Sequence, residues 1–121
     1  MATPNIVNVA TINAKNATGA VTTSRASAVD VSADKVAKIN TILIANIDGS
    51  NAADITIEVS VDNGSNYVKI ASTISVPADS TLVVVDKNTA LYLEEGNNLE
   101  AGASANSDAV ITVNYEILND A

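Results

Sequence analysis

Ile55-Thr56-Ile57-Glu58-Val59-Ser60-Val61, followed at once by Asp62-Asn63-Gly64-Ser65, is the stretch whose reading decides the fold. Apolar residues alternate with polar ones at a period of two. Such spacing puts Ile55, Ile57 and Val59 on one face of a strand and Thr56, Glu58 and Ser60 on the other. Asn-Gly accepts the positive φ values of a tight reversal, so the chain is expected to return antiparallel over Asn66 to Ile74. The result is a hairpin with one face in a core and one in water.

Working outward, Val36 to Ile47 holds Ile39, Ile42, Leu43 and Ile44 in a run bounded by turn residues, which predicts a strand buried on both faces. Asp48-Gly49-Ser50-Asn51 supplies a turn after it. Beyond the hairpin, Val76 to Ser80 reads as a loop, Thr81 to Val85 as a strand and Asp86-Lys87-Asn88 as a turn. Thr89–Leu93 and Leu99–Ala103 then flank Glu94-Glu95-Gly96-Asn97-Asn98. A final strand runs from Ala109 to Leu118, with Ile111, Val113, Tyr115 and Ile117 on one face. Towards the N-terminus, residues 4–13 read as an extended arm or first strand. Asn16 to Ser27 reads as a loop with a weak strand around Ala20–Thr23, and Ala28–Val31 as a short strand.

Eight to ten short strands with regular turns predict an all-β fold: a single antiparallel β-sandwich, jelly-roll-like or Ig-like, with an N-terminal extended arm. The expected organisation is an arm or first strand over residues 1–13 and one sandwich domain over 14–121. Strand parity assigns Ile39, Leu43, Ile55, Ile57, Val59, Leu91, Leu93, Ile111, Val113 and Ile117 to the core.

Composition removes most chemistries. The 121 residues include no cysteine, histidine, tryptophan or phenylalanine, and three tyrosines, Tyr67, Tyr92 and Tyr115. Without histidine or cysteine there is no imidazole base, thiolate nucleophile or Cys-rich zinc site, and no serine lies in a nucleophile elbow. No phosphate-cradling glycine motif occurs. We therefore expect no enzymatic activity, no catalytic residue, no cofactor and no bound metal. A net charge of −8 with scattered basic residues argues against nucleic-acid binding, and Lys35 and Lys38 read as a solvated strand flank. No window approaches the about 18 apolar residues of a membrane helix, so no membrane contact is expected. Nor does the N-terminus read as a secretory signal, which points to assembly in a cytoplasm.

The weaker motifs have structural explanations. Glu94 and Glu95 are adjacent, and Glu58 or Glu116 has the register to face another acid across a sheet, but a glycosidase would also want aromatic platforms. Asp48, Asn51 and Asp54, and Asp62, Asn63 and Asn66, are spaced oxygen donors without the pattern of a helical calcium loop; such residues favour turns for conformational reasons. Asn16-Ala17-Thr18 and Asn63-Gly64-Ser65 match the glycan acceptor pattern by chance.

One feature goes beyond composition. The block Lys38-Ile39-Asn40-Thr41-Ile42-Leu43-Ile44-Ala45-Asn46-Ile47-Asp48-Gly49-Ser50-Asn51-Ala52-Ala53-Asp54-Ile55-Thr56-Ile57 resembles small virion proteins of tailed bacteriophages. So do Val76-Pro77-Ala78-Asp79-Ser80-Thr81-Leu82, Leu91 to Leu99 and the closing Val113-Asn114-Tyr115-Glu116-Ile117. The resemblance spans about residues 36–118 and consists of strand and turn patterns, departing at Asn97, where that group usually carries Asp. It implies a β-sandwich structural protein of the virion exterior, most simply a capsid decoration or cement protein. Such a protein would bind the major capsid protein or other virion proteins, as a homo-oligomer, most simply a trimer. A tail, collar or baseplate component is the alternative within the same class, and a glycan or host-surface binding module the alternative outside it. The candidate partner contacts are Ile6, Val7, Val9 and Ile12 on the N-terminal segment, and Tyr67 after the hairpin.

Overall fold

A computed structural model describes residues 9–89 and 91–120. Among them, nine strands and one 3-10 turn at Lys87–Thr89 build two facing antiparallel sheets. The first sheet orders β1 (Val9–Val21), β9 (Ala109–Asp120), β3 (Lys35–Asn46) and β6 (Thr81–Val85), with β7 (Leu91–Leu93) paired to the first part of β3. The second orders β2 (Ala26–Asp30), β8 (Asn98–Ala103), β4 (Ala53–Ser60) and β5 (Val68–Val76). The chain changes sheet at most connections, and its first and last strands lie side by side. Counting β6 and β7 as one interrupted strand, this is a two-sheet, eight-strand jelly roll rather than an immunoglobulin arrangement.

The core is aliphatic, as the lack of aromatics requires. Ile39, Ile42 and Ile44 from β3 meet Ile55 and Ile57 from β4, with Leu93, Leu99 and Val113 sealing the layer, all of them buried. Each isoleucine or leucine so buried contributes about 1.5–3 kcal/mol of transfer free energy. Val59 and Ile111 are buried with them, and Leu91 and Ile117 pack partly buried against the cluster.

Leu43 is the exception among the expected core residues: it lies on the outer face of β3, where Lys38, Thr41, Leu43 and Ala45 are half-buried and Val36 is buried. A bulge between Ile39 and Thr41 inserts one residue into the pairing of β3 with β9. That extra residue reverses the alternation, so Ile42 and Ile44 turn inward with Ile39 while Leu43 turns outward.

The N-terminal half also differs from its expected form. Asn16–Val21 is not loop: β1 runs unbroken from Val9 to Val21, in register with β9 from Val9↔Asp120 to Val21↔Ala109. Alanine, asparagine and glycine weaken strand propensity here, but the long β9 template imposes the conformation. The hairpin forms where expected. Asn63 and Gly64 both take positive φ, 59° and 86°. Ser60 Oγ accepts the Gly64 amide at 2.7 Å, and the Asp62 carboxylate accepts the Asn66 amide at 2.8 Å.

Candidate assembly surface

The two sheets present outer faces of opposite character. On the first sheet, cross-strand register builds the face row by row. Thr18, Thr112, Leu43 and Val83 form one row, and Asn16, Asn114 and Thr41 the next. Ala14, Glu116, Lys38 and Tyr92 form a third row, and exposed Ile12 with buried Leu118 and Val36 a fourth. Most side chains on this face are neutral. Its two charges, Lys38 and Glu116, stand opposite each other, and Asn40 donates from Nδ2 to Glu116 Oε1 at 3.0 Å. Of the fourteen acidic residues in the chain, Glu116 is the one on this face among the described side chains. Val83, at 54% exposure, Ile12, at 56%, and Tyr92, at 49%, stand open to solvent on it.

The outer face of the second sheet is acidic and internally organised. Glu58 on β4 lies directly opposite Glu100 on β8, with Lys69 of β5 opposite Glu58 on its other side. Arg25, from the turn between β1 and β2, crosses this face and donates from its guanidinium to Glu58 Oε1 at 2.7 Å. The Glu58 side chain is 4% exposed and that of Arg25 is 45% exposed. Gly102 makes the crossing possible, because a Cβ there would sit 2.6 Å from Arg25 Cγ. Burial, with the neighbouring Glu58 carboxylate, holds the Glu100 carboxyl above its ordinary range, partly offset by Tyr67 and Arg25. The Tyr67 hydroxyl is raised too, by desolvation and by Glu100 beside it.

The acidic turns satisfy their own carboxylates. Asp48 accepts the Ser50 amide at 2.8 Å and Asn51 Nδ2 at 3.2 Å, and these donors hold its carboxyl below the usual range. The Asp62 carboxyl is lowered by Asn66, whose side chain and amide both donate to it, and by Ser60. Asp34 donates its amide to Glu95 Oε2 at 2.8 Å, which ties the Glu94–Glu95 turn to the turn that leads into β3.

The expected contact residues separate. Ile6 and Val7 lie outside the described residues. Val9 is half-buried at the start of β1, and Ile12 projects from β1 on the neutral face. Tyr67 is half-buried over the acidic face, so it does not share a surface with Ile12. The exposed aromatic on the neutral face is Tyr92. Its signal was present in the sequence: if Leu91 and Leu93 point inward, Tyr92 between them points out.

No family model matches the chain, and no curated protein matches it by sequence. Solved structures give partial matches to its fold. The chain is similar to a protein of the T13 IBDV viral particle, with TM-score 0.50 and 5% identity over 93% of this chain and 32% of that one. Two pentameric capsid protein structures from metagenomic phage sequences give TM-scores of 0.42 and 0.40, at 14% and 15% identity over 86% of this chain. The chain spans less than two thirds of the length of each of these proteins: 61%, 32% and 64%. At 5% identity the likeness to the viral-particle protein is one of fold alone.

Proposed function

We propose that this chain is a structural component of a tailed-phage particle, a decoration or cement protein that docks on the major capsid protein through the outer face of its first sheet. One observation carries the reading. A chain with net charge −8 keeps a four-strand-wide face whose two described charges, Lys38 and Glu116, balance, while its acids crowd the loops and the opposite sheet. Desolvating a neutral face costs far less than desolvating carboxylates, and the acidic remainder disfavours association through the other surfaces before assembly. The resemblance to small virion proteins and the jelly-roll fold support the same assignment, with the particle exterior as the location and three copies grouped at a threefold position as the arrangement.

Quantitative mass spectrometry of purified particles tests this. A copy number comparable to that of the major capsid protein is expected for a cement protein. A far smaller number would move the chain to the tail, collar or baseplate. Absence from the particle would overturn the structural assignment, and binding to a glycan array would then favour host-surface recognition.

A further inference from the structure

Among the described residues, the free edge of β1 is the least guarded strand edge. Along Val9–Val21 the strand pairs with β9 on one side and, among the described residues, with nothing on the other. Almost all of its residues are exposed, it contains no proline and no acid, and Lys15 is its one charge. Its only irregularity is a bulge at the Val9/Thr11 end. Long edges of this kind are templates for strand addition, and natural sheets usually blunt them.

The other edges are blunted. β2 has five residues, a bulge between Ser27 and Val29, and Asp30 at its end. β5 is interrupted by two register shifts, and Thr73 takes a left-handed φ of 51°. Opposite β1, the first sheet ends in two short strands, β6 and β7, separated by the Lys87–Thr89 turn. A second copy therefore offers β1 only one uninterrupted edge of matching length, its own β1. Two like strands meeting edge to edge pair antiparallel about a twofold axis. The absence of acid from the strand is what lets two chains of charge −8 approach there.

We propose that the protein, before it docks, is an isologous dimer joined by antiparallel β1–β1 pairing, which merges the two first sheets into one continuous sheet. Registers that set Lys15 against its copy are disfavoured, so the axis lies away from that residue. This deepens the reading of the chain as an assembly component, but its test needs no particle, so the two fail separately.

The experiment is sedimentation of the full chain from micromolar to millimolar concentration, with amide hydrogen exchange on the same samples. A dimer with every amide from Thr11 to Ala20 protected is expected. The variant Asn13→Lys/Gly19→Lys places charge on exposed positions of β1 away from the neutral docking face. A Cβ at residue 19 would meet nothing within 4 Å. Both changes reduce the net negative charge, so general repulsion alone would tighten the dimer. Local repulsion across a β1–β1 seam instead weakens it, by about tenfold in dissociation constant. A monomer throughout the range would overturn the proposal. So would a dimer whose alternate β1 amides exchange freely, or one the lysines leave unweakened.

Discussion

Replacing Arg25 by methionine keeps an aliphatic stem over Gly102 and removes the cation that neutralises Glu58. The carboxylate left behind is 4% exposed and faces Glu100 across the strand pair. Removing one partner of a buried ion pair costs about 3–5 kcal/mol. Here the Arg25 side chain is 45% exposed, so solvent already screens part of the interaction, and the cost falls to about 2 kcal/mol. For a chain of this length that lowers the melting temperature by about 8 °C. Thermal unfolding at neutral pH measures it, and the double variant Arg25→Met/Glu58→Gln completes the cycle. Because the glutamine carries no charge to neutralise, most of the loss should be recovered, with a coupling above about 1 kcal/mol. The deficit of the single variant should also shrink at mildly acidic pH, where the Glu100 carboxyl, raised above its ordinary range, takes a proton and no longer repels Glu58. A melting temperature within about 2 °C of the parent, or strict additivity in the cycle, would refute the claim that Arg25 compensates a buried carboxylate.

Three other outcomes follow from the same packing. Glu100→Gln should stabilise the protein at neutral pH. The folded Glu100 carboxyl lies above its ordinary value, so its contribution to stability is full below the unfolded value and is lost as pH rises through the raised one. The advantage of the variant, followed by melting across a pH series, should therefore fade as pH drops through the ordinary glutamate range. Gly102→Ala should cost about 1–2 kcal/mol in chemical denaturation, because its Cβ would meet Arg25 Cγ at 2.6 Å and unseat the ion pair. Ile57→Ala removes a fully buried side chain from the centre of β4 and should cost about 2–5 kcal/mol by the same assay.

Much of this molecule is legible in the chain because its strands obey a strict alternation. Ile55, Ile57 and Val59 needed only parity, and Asn63-Gly64 needed only the rarity of positive φ in other residues. Leu43 was misread because a bulge is a single inserted residue with no distinctive composition, and the hydrophobic run Ile42-Leu43-Ile44 supports either parity. The sequence leaves β1 divided between an arm or first strand and a loop with a weak strand, because its unbroken conformation comes from pairing with a partner about a hundred residues away, a non-local cause that no local window contains. The neutral face was hidden for the same reason. Asn16, Asn114 and Thr41 are ordinary polar residues until register sets them side by side. The Arg25–Glu58–Glu100 cluster gave one clue, a glutamate within the most regular strand with the register to face another acid, while its cation came from a turn.

The central claim is that the outer face of the first sheet is the surface that meets the particle. A reconstruction of the intact particle at a resolution that separates strands tests it most directly. The account predicts density for this domain on the shell exterior, with the Leu43, Val83 and Tyr92 side of the sheet against the major capsid protein and the Glu58–Glu100 side towards solvent. Density in the reverse orientation, with the acidic face buried against the shell and the neutral face open to water, would contradict it.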